Sequence, residues 1–252
     1  MGQFFSTFFY QPIFNLLIFI YNNLSFQDMA VSIVILTIVI KGILWPLSKT
    51  SIKSQKQLQD LQPKIDELKE KYKDDKVALS QATMDLYKEH KINPFSSCLP
   101  LLIQFPFLIA VFQVFRDGIN DKLDLVYPFL TRPDTVNMMS LGFLDLSQAN
   151  PYLAILAGLA QFWQARMMVA KKPAIKTEGS KDENMAAIMS KQMMYFMPVI
   201  TIFIGMRLPG GLTLYWFVLT LLTALQQIIT KTKTKDKKDN SDKKIIEGEL
   251  VK

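Results

Sequence analysis

The sequence has little of what enzymes and metal sites require. Its 252 residues include one cysteine, Cys98, and one histidine, His90, which excludes an internal disulfide and any metal site built from several such ligands. Neither an HExxH motif nor a glycine-rich phosphate loop is present. Ser32 and Lys41 cannot form a serine–lysine dyad, because nine positions on one helix separate them by more than two turns. The sequence predicts no enzyme, no metal and no cofactor.

Acidic residues are also absent from five apolar stretches of about twenty residues. Half of the chain is hydrophobic and 20% is charged, and the charges lie in blocks between these stretches. An apolar helix of about twenty residues crosses a hydrocarbon core of ~30 Å. We therefore expect an all-α integral membrane protein with five transmembrane helices. The predicted spans are residues 29–47, 98–115, 151–169, 193–208 and 212–229.

The segment 1–25 has no Lys or Arg, so a signal peptide with a basic start is not expected. Its apolar run, Ile13–Tyr21, is too short to span a bilayer. Gln11, Asn15 and Asn22 fall on one helical stripe. We expect an amphipathic helix that lies in the external interface. The alternative is a first span that runs on into the next apolar stretch, which the polar residues after Tyr21 interrupt.

Residues 49–92, between the first two spans, are predicted to form a cytoplasmic helical hairpin. Apolar residues recur there at spacings of three and four, as in helices that pack in pairs. A polar turn begins at Lys73, and a second stripe follows it. The two stripes could pack only against each other, or the charged outer faces could meet a partner. The stripe residues are Leu58, Leu61, Ile65, Leu68, Tyr72, Leu79, Ala82 and Leu86.

The basic residues predict the orientation. They concentrate in the hairpin, in the loop after the third span and in the tail, residues 231–252, which we expect to be disordered. The positive-inside rule then places the N-terminus outside and the C-terminus in the cytoplasm of a bacterial plasma membrane. It also explains the net charge of +7 better than nucleic-acid binding does. The tail could serve as a topology signal, a lipid contact or a ribosome contact.

Lys41 is the residue that most needs an explanation. It lies within the first predicted span, where a lysine costs roughly 2.5–3.5 kcal/mol at mid-membrane. Its stem could snorkel toward the cytoplasmic headgroups. Alternatively, it faces inward, and because the spans offer no carboxylate, the ammonium would then need a hydrated cavity.

Other polar side chains in the spans could line such a cavity. Each one could equally make an ordinary interhelical hydrogen bond, often worth less than ~1 kcal/mol. Polar groups in four of the five spans together favour a shared site. The candidates beside Lys41 are Thr37, Gln104, Gln161, Gln164, Thr213, Trp216 and Thr220, and Thr223 and Gln227 continue the stripe of the last span.

Several blocks together resemble the YidC family of membrane protein insertases. The resemblance implies a five-helix core, residues 26–230, with a hydrophilic groove open to the cytoplasm and to lipid. It implies insertion and assisted folding of small membrane proteins, alone or with the Sec translocon, without nucleotide hydrolysis. The matching blocks are KGILWPLSK at 41–49, LQPKI at 61–65, NP at 93–94, CLPLLIQFP at 98–106, FMP at 196–198 and LPGGLTLYW at 208–216.

The sequence departs from this family in two respects. Lys41 stands where the family commonly has Arg, so the charge is kept without the bidentate fork. The large external domain and extra N-terminal span of some Gram-negative members are missing, which suggests the short form.

Two other functions stay open at this stage. A small-anion transporter or channel could use Lys41, although no internal repeat of the kind common in transporters is visible. A scaffold for membrane complexes is the other. For an insertase, the expected partners are nascent membrane proteins, the lipid bilayer and the Sec translocon, with the ribosome and targeting factors bound through the hairpin and tail.

Overall fold

The computed structural model of the chain describes residues 2–73, 75–93, 99–168 and 183–249, and within them the protein is almost entirely helical. A π-helical turn, Ser6–Tyr10, joins the first two helices, and a 3-10 helix, Asn120–Leu125, lies in the long connection after α6. The helices and strands are α1 Gln3–Phe5, α2 Gln11–Asn23, α3 Met29–Ile43, α4 Trp45–Lys71, α5 Lys76–Glu89, α6 Leu99–Arg116, β1 Met139–Ser140, β2 Leu144–Asp145, α7 Pro151–Met168, α8 Glu183–Gly205 and α9 Gly210–Glu249.

Two stretches of the described helices are each long and apolar enough to cross a membrane, Gln3–Asn23 and Gly210–Thr230. The pair α3 and α4, bent by 68°, adds a third if it forms one span. These helices support the all-α membrane class, whereas the number of five spans stays a prediction. Two further apolar helices are shorter, Leu102–Arg116 and Met194–Gly205.

The N-terminal helix is longer than its apolar run predicts. Helical structure is continuous from Gln3 to Asn23, because Pro12 falls in the first turn of α2, where proline is tolerated. The polar stripe does not face water as a unit, since Asn15 is only 2% exposed. The interfacial position of the amphipathic segment 1–25 stays a prediction.

Helix α2 lies against the connection between α6 and α7. Asn15 donates to the carbonyl of Leu125 at 3.0 Å and accepts from the N–H of Tyr127 at 2.7 Å. Two helical turns further on, Asn22 donates to the carbonyl of Thr131 at 2.7 Å. The helix and this connection thus run side by side.

The hydrophobic core lies between α2, α3, α6, the connection and the first turns of α9. Periodic apolar residues on each helix face inward, and between helices that lie in lipid their close van der Waals packing is the main stabilising term. The fully buried members include Phe14, Leu17, Ile18, Met29, Ile33, Val111, Leu146 and Tyr215.

The start of α9 closes this end of the bundle. The N–H groups of Gly210 and Gly211 donate to the carbonyls of Gln148 and Leu146 at 2.7 and 2.9 Å. A Cβ at Gly211 would lie 2.2 Å from the ring of Phe115. Glycine is required here by close approach, because any larger residue would overlap the buried ring.

Helices α3 and α4 meet at a sharp bend. Pro46 lies in the first turn of α4, and a proline there cannot continue the hydrogen-bond ladder of the preceding helix. The carbonyl of Trp45 accepts from the side-chain amide of Gln226 at 3.2 Å, so α9 contacts the bend directly.

Helices α4 and α5 contact each other after a turn. Asp75 caps α5 by accepting from the N–H groups of Val77 and Ala78. On α4, Leu61 and Ile65 are buried, so the predicted apolar stripe is the inward face of this helix.

Some predicted features lie outside the described residues. These are the block 94–98, the loop with Lys171, Lys172, Lys176 and Lys181, and the last three positions of the chain. The tail differs from the expected disorder, since α9 continues as helix to Glu249.

Candidate functional site: a cavity around Lys41

Lys41 lies in the last turn of α3 and turns into the protein. Asp28 caps the start of this helix by accepting from the N–H of Val31 at 3.1 Å. The lysine is 7% exposed, and its Nζ donates to Oγ1 of Thr223 on α9 at 3.0 Å. In the described part of the chain, no carboxylate lies within ion-pair distance of this ammonium. The side chain therefore points toward α9 and does not follow the snorkelling alternative.

A cavity of about 250 Å³ adjoins the ammonium. Five helices supply its walls, and eight of the fourteen lining residues carry polar side chains other than tryptophan. Such a mixed lining can contact both polar and apolar parts of a guest. We call it the Lys41 cavity; it is lined by Lys41, Leu44, Leu47, Ser48, Ile52, Gln55, Ile103, Gln104, Gln164, Trp216, Leu219, Thr220, Thr223 and Gln227.

The cavity occupies one end of the bundle. Its residues come from the end of α3, the start of α4 and α6, and the end of α7. The connection between α6 and α7 lies at the opposite ends of these helices, where Gly210 and Gly211 close the packing. The molecule thus has an open end beside α4 and a closed end beside the connection.

The structure brings five of the eight predicted site residues into this cavity. They come from four different helices, so they meet only through the tertiary fold. The five are Lys41, Gln104, Gln164, Trp216 and Thr220.

The other three predicted residues lie outside the cavity. The hydroxyl of Thr37 donates to the carbonyl of Ile33 in its own helix at 2.6 Å. Gln161 accepts a hydrogen bond from Thr201, which links α7 to α8. Thr213 sits near the closed end and donates to carbonyls of the turn before α9. Each hydroxyl or amide is thus engaged in local or interhelical structure.

Hydrogen bonds within the walls orient the cavity's acceptors. Gln104 donates to the buried Tyr215 hydroxyl at 2.8 Å, which fixes its amide between α6 and α9. Thr220 and Thr223 donate to carbonyls one turn back in α9. A hydroxyl that has donated its proton keeps its oxygen as an acceptor, and Lys41 uses that of Thr223.

Two buried glutamines near the end of the apolar part of α9 have unused acceptors. Gln226 and Gln227 are 0% and 3% exposed, and neither Oε1 has a hydrogen-bond partner among the described residues. Gln227 lines the Lys41 cavity. A buried acceptor without a donor is costly, so this wall favours a guest that carries N–H or O–H groups.

Sequence reasoning missed the contribution of α4. Ser48 and Gln55 line the cavity, and with Lys41 they form a run at seven-residue spacing across the bend. That spacing was the available signal, because residues seven apart share one helix face.

No cluster of His, Cys, Asp or Glu able to hold a metal occurs within residues 2–73, 75–93, 99–168 and 183–249. The chemistry of the cavity is that of one cation and several amides and hydroxyls. Such groups can bind and orient a guest through hydrogen bonds and charge.

Known proteins resemble this chain in sequence over most of its length. The family described as 60Kd inner membrane protein matches residues 19–238. A Fusobacterium nucleatum protein named membrane protein insertase YidC is 37% identical over 202 residues, which cover 79% of this chain and 84% of the relative.

Two further relatives with the same name are longer. The protein of Tolumonas auensis is 34% identical over 93% of this chain, and that of Syntrophus aciditrophicus is 38% identical over 86%. The alignments cover 38% and 35% of those relatives. This chain therefore spans about a third of their length.

These matches define a class of inner-membrane proteins that insert other proteins and are not enzymes. The chain belongs to the 60Kd inner membrane protein family, that of the YidC insertases.

Proposed function

We propose that this chain inserts small membrane proteins through the Lys41 cavity, alone or beside the Sec translocon, and helps them to fold. The polar N-terminal tail of a substrate enters the cavity, which shortens the apolar path that the tail has to cross. Lys41 attracts acidic residues of that tail. The apolar segment of the substrate then slides past α3 and α7 into lipid.

The observation that carries this proposal is the buried Lys41 cation, which has no counter-charge among the residues that the structure describes. Burial of an unpaired ammonium is unfavourable, because little of its hydration is replaced. Thr223 supplies one neutral acceptor at 3.0 Å, whereas an ammonium has three donors. An acidic guest would gain a charge-assisted bond in a medium that screens charge poorly.

The mixed lining supports an amphipathic guest. Ile52, Ile103 and Leu219 lie beside the glutamines and threonines of the wall. A small anion needs only the polar part of this lining, whereas a peptide with polar and apolar side chains uses both. An anion transporter or channel and a membrane scaffold are therefore not favoured, and the curated relatives are named as insertases.

The proposed topology has five spans, with residues 1–25 along the outer interface and residues 231–252 in the cytoplasm. The bonds of Asn15 and Asn22 to the connection at 125–131 support it. A helix that crossed the membrane would meet this connection at one end, whereas α2 contacts it at two positions that are two turns apart. The membrane is the plasma membrane of a bacterium.

The α4–α5 pair within 49–92 and the basic tail would contact the ribosome and targeting factors. Val77 and Met84 on α5 are 77% and 49% exposed, so this helix offers apolar as well as charged surface. Lysines of the tail would add salt-sensitive contacts to RNA, because each phosphate contact releases counterions.

An insertion assay with Lys41 variants tests the proposal. It compares one substrate that has an acidic N-terminal tail with the same substrate after its acids are neutralised. If charge recruits the tail, Lys41→Arg keeps insertion, while Lys41→Ala reduces it about tenfold on the acidic substrate, which corresponds to ~1.4 kcal/mol, and Lys41→Glu reduces it further.

The matched control is Lys49→Ala, which removes an exposed lysine two turns away. It should leave both substrates unaffected. Full activity of Lys41→Ala on the acidic substrate would contradict the proposal, as would an equal loss caused by Lys49→Ala.

A further inference from the structure

Two loops at the closed end of the bundle carry large apolar side chains into solvent. We propose that these loops form a lipid anchor that inserts into the outer leaflet and holds the closed end at a fixed depth. We call them the outer tip; it comprises residues 24–28 and 139–145. The inference rests on the proposed topology, which places this end outside.

The tip exposes five large apolar side chains to solvent. Phe26 is 100% exposed, Phe143 is 79% exposed and Leu141 is 62% exposed. Leu24 and Met139 on the same two loops are 52% and 46% exposed. Exposed apolar residues that occur singly need no explanation, whereas a group of them marks contact with lipid or protein.

Hydrogen bonds join the two loops into one unit. The Asp28 carboxylate accepts from the N–H of Leu141 at 2.9 Å and from that of Val31 at 3.1 Å. In return, the N–H of Ala30 donates to Oγ of the buried Ser140 at 2.8 Å. Residues more than a hundred positions apart are thus held together at the start of α3.

Asp28 is ionised in this arrangement, and both of its carboxylate oxygens accept hydrogen bonds. Burial raises the pKa of Asp28, but its bonds from the N–H groups of Leu141 and Val31 lower that pKa by more, so that it lies below its usual value. The carboxylate therefore stays charged while it links the two loops by hydrogen bonds.

The backbone of the tip is strained in a way that displays these side chains. Phe26, Gln27 and Leu141 have φ values of 53°, 58° and 54°. Residues with a Cβ rarely adopt this left-handed conformation, and it persists only where the surroundings impose it. The Asp28 and Ser140 bonds supply that constraint.

Lipid is the occupant that the chemistry of the tip favours. Asp28 and Asp145 are its charged residues, so it has no cation to attract nucleic acid or an acidic protein. Phe26 lies three positions before α3, the start of the first proposed span, which puts it at headgroup level. Phe and Leu side chains of interfacial segments insert roughly 5–10 Å into the boundary between headgroups and acyl chains.

The experiment measures the depth of nitroxide labels in the purified full chain. Cys98 is the single cysteine, so Cys98→Ser provides a background for Phe26→Cys, Phe143→Cys and the control Asp134→Cys, which is exposed on the connection. The labelled proteins are reconstituted into vesicles of phosphatidylethanolamine and phosphatidylglycerol. Power saturation then compares collision with oxygen, which enriches in lipid, and with a water-soluble nickel chelate.

At positions 26 and 143 we expect an oxygen-to-nickel collision ratio several-fold above that at position 134. Equal ratios at all three positions would overturn the anchor. So would nickel exclusion that occurs only in native membranes, because a protein partner would then cover the tip.

A separate measurement distinguishes failure of the topology. An impermeant maleimide added to intact cells should label the cysteine at position 134. If it does not, the external location is wrong, whatever the ratios are.

A substitution at Phe26 separates the side chain from the backbone. Phe26→Asn suits the left-handed conformation but removes the apolar group, so it should lower the ratio for a label at position 143. Phe26→Leu should keep that ratio. No change with Phe26→Asn would overturn the view that the two loops insert together.

Discussion

Two buried carboxamides at opposite ends of the molecule are treated differently by their surroundings. Asn15, at the closed end, is 2% exposed, and its side chain makes bonds to the carbonyls of Gln11 and Leu125 and to the N–H of Tyr127. Gln227, in the Lys41 cavity, is 3% exposed, and its Oε1 has no partner within the described ranges.

The difference separates a structural polar group from one available for binding. A fully paired amide fixes the segments it joins, and its loss leaves their backbone groups unsatisfied. An unpaired buried acceptor lowers the stability of the folded protein and gains a bond only when a guest arrives. The paired Asn15 at the closed end thus stabilises the fold, whereas the unpaired acceptor of Gln227 lowers stability and is available to bind a guest.

The strongest test of the closed end is Gly211→Ala. The added Cβ would lie 2.2 Å from the Phe115 ring, and such overpacking should lower the free energy of unfolding by about 3 kcal/mol. Thermal unfolding in detergent measures the change. Gly42→Ala is the matched control, because a Cβ there meets nothing within 4 Å; it should be neutral or stabilise by up to ~1 kcal/mol. Equal effects would contradict close packing at Gly211.

Asn15→Leu should have a smaller but clear effect on stability. It leaves the Leu125 carbonyl and the Tyr127 N–H buried without their partner, which should cost about 2 kcal/mol. The same unfolding measurement applies. Asn22→Leu removes a hydrogen bond to the carbonyl of Thr131 that is more exposed than the bonds of Asn15. This loss should lower the free energy of unfolding by less than ~1 kcal/mol. If both variants lose equally little, pairing does not stabilise this end.

Gln227→Leu should have the smallest effect on stability and still impair insertion. Because its Oε1 is buried without a partner among the described residues, the free energy of unfolding should stay the same or rise by up to ~0.5 kcal/mol. Insertion of a small substrate should slow, since the cavity wall loses an acceptor. A loss of stability as large as that of Asn15→Leu would show that Gln227 is structural after all.

Much of the fold could be predicted because apolar runs between charged blocks mark helices directly. The extent of the first helix could not, since it depends on continuity through Pro12 and a π-helical turn. Nor could the burial of Asn15, whose partners lie more than a hundred positions away. A polar stripe on a helical wheel cannot distinguish a solvated face from one that pairs with a distant loop.

Part of the site could be predicted from the sequence, because a charged residue inside an apolar span requires an explanation. Lys41 was found on that ground, and its neighbours followed from polarity within the spans. Thr37 does not line this cavity, because a threonine in a helix can satisfy its hydroxyl at the carbonyl four residues back. Ser48 and Gln55 are not among the predicted site residues, because the first predicted span ends at Leu47. The helix face that they share with Lys41 continues past the bend between α3 and α4.

The bend between α3 and α4 has a mechanical consequence. Helix α4 has 27 residues, so it is about 40 Å long at 1.5 Å per residue. It acts as a lever whose pivot lies at Trp45, where the Gln226 amide binds the backbone. A rotation of about 10° at this pivot moves the far end of a lever of that length by about 7 Å. A displacement of α9 that turned α4 about this bond would therefore be largest at the distant end of α4.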